Sequence, residues 1–156
     1  MADLTVTLTE SVTLNSTVRG STNTLTISGI EQVMERIVTV PNSADTTVLL
    51  NKSTVATSDG AIDIQDTKYV RITNLDSTNS VTLSLQIDAS ENDSSAAESC
   101  SILLEAGKTF MLGTPHNSVA VSDANATIVT TLHDLESILV DSGGNAVKLE
   151  VFVAGA

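Results

Sequence analysis

Tryptophan is missing from this 156-residue chain, and its aromatic residues are Tyr69, Phe110 and Phe152. Nucleotide and single-strand nucleic-acid sites stack bases on aromatic faces, and sugar clefts stack their rings in the same way. That scarcity disfavours a carbohydrate enzyme, a lectin or such a nucleic-acid binder. Cysteine occurs once, at Cys100, so no intrachain disulfide can form. It opens the apolar run 100–104, where a small buried hydrophobe is expected rather than a reactive thiol. Together with the separated His116 and His133 it matches no zinc-ligand spacing. Neither histidine stands in a recognisable nucleophile–base context, and no G-x-S-x-G occurs. Basic residues are few: 7 against 19 acidic ones, for a net charge of −12. A field of that sign repels polyanions, so nucleic acid and anionic lipid are not expected partners. No apolar run approaches the ~20 residues that span a bilayer. Met1 to Thr5 carry neither a basic nor an apolar signal region, so synthesis in a cytoplasm as a soluble chain is expected.

What the chain does have is threonine and serine alternating with valine, isoleucine and leucine. The clearest stretch runs from Tyr69 to Ile87. Val81, Leu83, Leu85 and Ile87 alternate with Thr82, Ser84 and Gln86, and Val70 and Ile72 alternate with Tyr69, Arg71 and Thr73. A period of two places the aliphatic side chains on one face of a strand. The Asn, Asp and Ser residues of 74–80 favour a turn, so a β-hairpin is expected here. A second hairpin is expected from strands at 101–104 and 109–112, joined at Glu105–Lys108 with Gly107 at a positive φ.

The same pattern predicts strands at 4–9, 24–28, 46–50, 52–57, 61–65, 119–121, 128–131, 135–140 and 147–153. Glu10–Ser11 is read as a bulge before Val12 and Leu14, and 15–23 as a loop. Residues 30–37 fit either a helical turn capped by Ser28 or a strand ending at Pro41, and the strand is favoured from about Val33. About ten short strands with turn signals between them imply an all-β fold. We expect an antiparallel β-sandwich, jelly-roll-like, as one domain over 1–156. Residues 1–20 are an N-terminal strand or arm available for subunit contacts. The few charges of Leu4–Leu8 and Val147–Val153 suit burial in the sandwich or pairing with a neighbouring subunit.

Chemistry is harder to find. The oxygen-rich segments 88–93 and 141–145 could interest calcium, but neither fits the D-x-[DN]-x-[DN]-G-x₅-E loop, and solvated turns account for them better. No glycine-rich phosphate loop follows a strand. No catalytic residue, cofactor site or metal site is assigned, and a non-enzymatic role is expected.

Three segments carry a resemblance: Y-V-R-I-T-N-L-D-S-T-N-S-V-T-L at 69–83, L-L-E-A-G-K-T-F-M-L at 103–112, and K-L-E-V-F-V-A-G-A at 148–156. They resemble small all-β virion proteins of tailed bacteriophages, including capsid decoration or cement proteins. The resemblance implies a homotrimer bound to the major capsid protein at the capsid surface of the virion, after synthesis in the host cytoplasm. A tail-fibre or host-receptor-binding β domain is the alternative.

Overall fold

Alternation decides which side chains face inward, but the partner of each strand is settled only in three dimensions. A computed structural model of the chain describes residues 1–51, 63–88, 98–121 and 128–156. These form twelve strands and no helix among the described residues. They are β1 (Ala2–Thr9), β2 (Val12–Leu14), β3 (Thr17–Arg19), β4 (Thr22–Ile30), β5 (Gln32–Val40), β6 (Thr46–Leu50), β7 (Thr67–Asn74), β8 (Val81–Asp88), β9 (Glu98–Leu104), β10 (Thr109–Leu112), β11 (Asp134–Asp141) and β12 (Val147–Gly155).

The last eight build a sandwich of two antiparallel sheets. One sheet has the order β10-β7-β12-β5 and the other β6-β11-β8-β9. Each successive pair, β5/β6, β7/β8, β9/β10 and β11/β12, places one strand in each sheet. The four pairs lie side by side in the same order in both sheets, which is jelly-roll connectivity.

This corrects both expected hairpins. β7 does not pair with β8, nor β9 with β10. Their turns cross from sheet to sheet as arches. In an arch the apolar faces meet across the core, whereas in a hairpin they lie side by side. The alternating sequence is the same in both cases.

The arches gather at one pole, where Val40 stands opposite Val147, Asn74 opposite Leu149, and Leu104 opposite Val81. They are stitched to one another. Ser142 Oγ donates to Pro41 O at 2.6 Å, and Asn145 Nδ2 donates to Asn79 Oδ1 at 3.2 Å. Leu75 N donates to Lys148 O, and Asn74 N to Lys108 O, both at 2.9 Å. Within the 74–79 turn, Asn74 Oδ1 accepts from Asp76 N, and Asp76 Oδ1 accepts from Thr78 N and Asn79 N. Side chains thereby supply the partners that an arch backbone cannot find in a ladder.

Between the sheets lies an aliphatic core that includes Leu49, Ile72, Leu83, Leu135, Ile138, Leu149 and Val151, all fully buried. Arg36 on edge strand β5 reaches across the open side and donates from Nη2 to Val48 O of the opposite sheet at 2.7 Å.

Residues 32–40 are strand, the favoured of the two readings, because β12 offers nine backbone partners from Gly155 to Val147. Of the two options for Val147–Val153, the structure takes burial in the sandwich, with β5 and β7 flanking β12, whereas Leu4–Leu8 lies outside both sandwich sheets. Other expectations change as well. Val119 makes only an isolated bridge to His133, and Ile128 is 89% exposed outside any strand. The 52–57 strand lies outside the described residues. Of the 61–65 strand, Ile64 and Gln65 belong to a turn in which Asp63 Oδ1 accepts from Gln65 N.

Candidate interaction surface

Residues 2–30 lie outside both sheets of the sandwich. β1 pairs with β4 and β2 with β3, and the register is the same on both sides of the break at Glu10–Ser11. The four short strands are therefore one long antiparallel ribbon, not a strand followed by a loop. Its turn is Asn15–Ser16, with φ of 51° and 62°. Two successive left-handed residues match the twist of the flanking strands, as in a type I′ hairpin. The signal missed in the sequence is the parity of apolar residues about this pair: Val6 meets Leu25 and Leu4 meets Ile27.

Gly20 explains why the ribbon can pass its break. Its φ is 126°, and a Cβ there would collide with the carbonyl oxygen of Glu10. The strands close up at this point, where Glu10 N donates to Ser21 O at 2.9 Å.

The ribbon has two unlike faces. Thr5 pairs with Thr26, Thr7 with Thr24 and Thr9 with Thr22, and the last two hydroxyls lie 3.1 Å apart. The opposite face is aliphatic. Strand parity places Leu4, Val6, Leu8, Val12 and Leu14 on it, opposite Ile27, Leu25, Asn23, Arg19 and Thr17 in turn, so it is aliphatic on both strands at the root and on one strand toward the tip. At the ribbon's root, Leu4, Val6 and Ile27 pack with Ile30 against Tyr69, Phe152 and Ala154 on the outer face of the β10-β7-β12-β5 sheet. Beyond the root nothing among the described residues covers that face. Leu8, Val12, Leu14 and Leu25 are all exposed, Val12 at 58% and Leu14 at 57%. A bulge at Ser28–Gly29, where the β1/β4 register shifts between Leu4 and Ala2, joins ribbon to body. Gly29 carries a φ of 81° there.

The outer sheet face that receives the root continues past it. Arg71 Nη1 lies 2.6 Å from Glu150 Oε2, donates to Thr73 Oγ1, and the guanidinium rests 5.8 Å from the Phe152 ring centre. Tyr69 meets Phe152 edge to face at 6.1 Å. Burial pushes the Tyr69 hydroxyl's pKa up, against the opposing pull of Arg71. Val33, Ile37 and Met111 stand exposed on this face. The outer face of the second sheet is different, with Thr82, Ser84 and Gln86 facing Leu103, Ser101 and Ser99.

The residues weighed for chemistry are dispersed. His116 Nδ1 lies 2.8 Å from Asp134 Oδ1 without the geometry of a hydrogen bond, that oxygen accepting from Asn117 N at 2.7 Å, and Nε2 lies 2.9 Å from Asn117 Nδ2. The imidazole is thus held between a carboxylate and an amide, and the nearby Ser118 hydroxyl donates to Pro115 O instead. His133 sits in the bridge to Val119. Asp141 Oδ1 accepts from Gly143 N at 2.7 Å, an ordinary Asx turn. Residues 89–93 of the other oxygen-rich segment lie outside the described residues. Among those described, no three His, Cys, Asp or Glu side chains are grouped to hold a metal ion. Cys100 is half-buried, less enclosed than expected, because β9 is an edge strand.

No protein-family model matches the chain, and no curated protein does. The chain is similar to a solved structure described as "Bacillus endospore appendages form a novel family of disulfide-linked pili", at 12% identity. The match covers 82% of this chain and 89% of that one, with a TM-score of 0.38. A likeness of that size carries no argument about what this chain does.

Proposed function

We propose that the protein is a structural assembly protein of a tailed-bacteriophage virion, a capsid decoration protein. In this reading it acts as a homotrimer, binds the major capsid protein at the capsid surface, and stabilises the head by contact rather than by catalysis. Nucleic acid and membrane are not its partners.

One observation carries the reading: an apolar ribbon face leaves the jelly roll, and among the described residues nothing covers its outer half. A lone two-stranded ribbon is marginal in water. Uncovered aliphatic residues in a row mark a surface meant for a partner. Full burial of each such Leu or Val contributes about 1.5–3 kcal/mol. The phage assignment is supported by the resemblance of 69–83 and 103–112, the segments that form two of the arches.

The test is co-sedimentation with purified expanded capsids that lack decoration. The chain is expected in the pellet at a fixed ratio to capsid subunits, with capsids more resistant to heat. A chain that stays in the supernatant at saturating capsid overturns the assignment.

A further inference from the structure

The outer half of the ribbon and the part of the outer sheet face beyond its root both expose apolar side chains in one molecule. We propose that they cover each other between copies: the ribbon tip, with Val12 and Leu14, seats on the outer sheet face of a second copy at Val33, Ile37 and Met111. This rests on the reading that the protein works through its surfaces, and it names the occupant of the ribbon.

The first argument is continuity. The same ribbon face already packs on the same sheet face within one chain, through Leu4, Val6 and Ile27 against Tyr69 and Phe152. The fit between them is therefore built into the molecule. The tip carries the root's face onward with Val12 and Leu14, and the sheet face carries on past the root with Val33, Ile37 and Met111. Within one copy the tip and this part of the sheet both remain exposed.

The second argument is charge. The molecule carries −12, so two copies repel each other over most of their surfaces. The ribbon contains only Asp3, Glu10 and Arg19 as charged residues. On the receiving face Glu35 and Glu150 are matched by Arg71 and Lys148, and Arg71 and Glu150 are already paired. These two surfaces can meet without the penalty the remainder would impose. A basic partner would gain nothing here and would settle elsewhere.

The third is size. From Leu8 to the turn the ribbon runs roughly 20 Å at ~3.3 Å per residue. Laid flat, it would bury on the order of several hundred Å² per partner, the lower range for specific association at ~800 Å² a side.

The test is native mass spectrometry and light scattering on the full chain at about 100 µM. The wild type is expected as an oligomer. A tip variant, Val12→Thr with Leu14→Thr, keeps strand propensity and is expected as a monomer. So is a receiver variant, Ile37→Glu. Neither change touches the core, so both should keep the wild-type thermal transition of the jelly roll. Mixing the two variants should restore a one-to-one heterodimer, because one intact tip and one intact receiver remain. A monomeric wild type overturns the proposal. So does a variant that retains the wild-type mass, or a mixture that gives no heterodimer. Capsid co-sedimentation is a separate readout: a monomer that still pellets with capsids sinks this inference and leaves the decoration role standing.

Discussion

Asn74 closes β7 in one sheet, yet its side-chain amide donates to the carbonyl of Leu104, which closes β9 in the other, at 3.3 Å. The same nitrogen donates to Asn79 O at 2.9 Å, and the side-chain oxygen accepts from Asp76 N. One buried amide thus ties two neighbouring arches together across the end of the core.

Asn74→Ala should therefore cost more than a surface change. It strands two carbonyls and an amide proton, each worth about 1–3 kcal/mol when left unpaired and buried. We expect a loss of roughly 2–4 kcal/mol in urea unfolding. A change below about 0.5 kcal/mol would show that water replaces the amide without cost.

The Asp76 carboxyl lies below the usual carboxylate range, chiefly because the Asn79 and Thr78 backbone amides donate to it. A group whose folded pKa is depressed adds stability above its unfolded pKa, here about 3.8, and loses it as pH falls through the folded value. Asp76→Asn should lower the melting temperature at neutral pH. The gap to wild type should close as pH drops from about 5 toward about 1. A gap that holds constant with pH contradicts this account.

Leu149→Ala removes a fully buried side chain from the central strand of one sheet. About 2–5 kcal/mol should be lost. That corresponds to a fall in Tm of roughly 5–15 °C for a chain of this size, read by calorimetry.

Arg71 and Glu150 form a short but quarter-exposed ion pair. Exposed pairs contribute little, so a double-mutant cycle with Arg71→Met and Glu150→Gln should give a coupling below about 1 kcal/mol. That coupling should shrink further in high salt. A larger, salt-insensitive value would mean that Phe152 shields the pair far more than its exposure implies.

Gly20→Ala should loosen the ribbon and spare the sandwich. The new methyl meets the Glu10 carbonyl, and the left-handed φ of 126° disfavours any side chain. Amide protons of Leu8 and Leu25, which alternate in register with the Glu10–Ser21 bond and so point into the ladder, should exchange markedly faster, while those of Leu149 and Val151 keep their protection.

Much of this architecture could be read from the residues themselves. The alternation in Val81–Ile87 and Val147–Val153 reports inward faces directly, and the structure buries Val81, Leu83, Leu85, Ile87, Val147, Leu149, Val151 and Val153. Pairing was not legible. Tyr69–Ile87 reads alike as hairpin or arch, because Asn74's reach to Leu104 depends on a strand thirty residues away. The ribbon was half legible. Leu4, Val6 and Leu8 announce a strand, but Asn15–Ser16 lacks the glycine that usually marks a tight hairpin turn. Val119 and Ile128 look like strand residues and are not, since no neighbouring edge among the described residues offers them a ladder.

The bulge at Gly29 sets the angle at which the ribbon leaves the body. A contact between unlike surfaces, tip to sheet, is directional, and successive copies either return to the first and form a closed ring or continue as an open fibre. If copies join tip to sheet as proposed, the bend at residue 29 is one of the angles that decide between those outcomes.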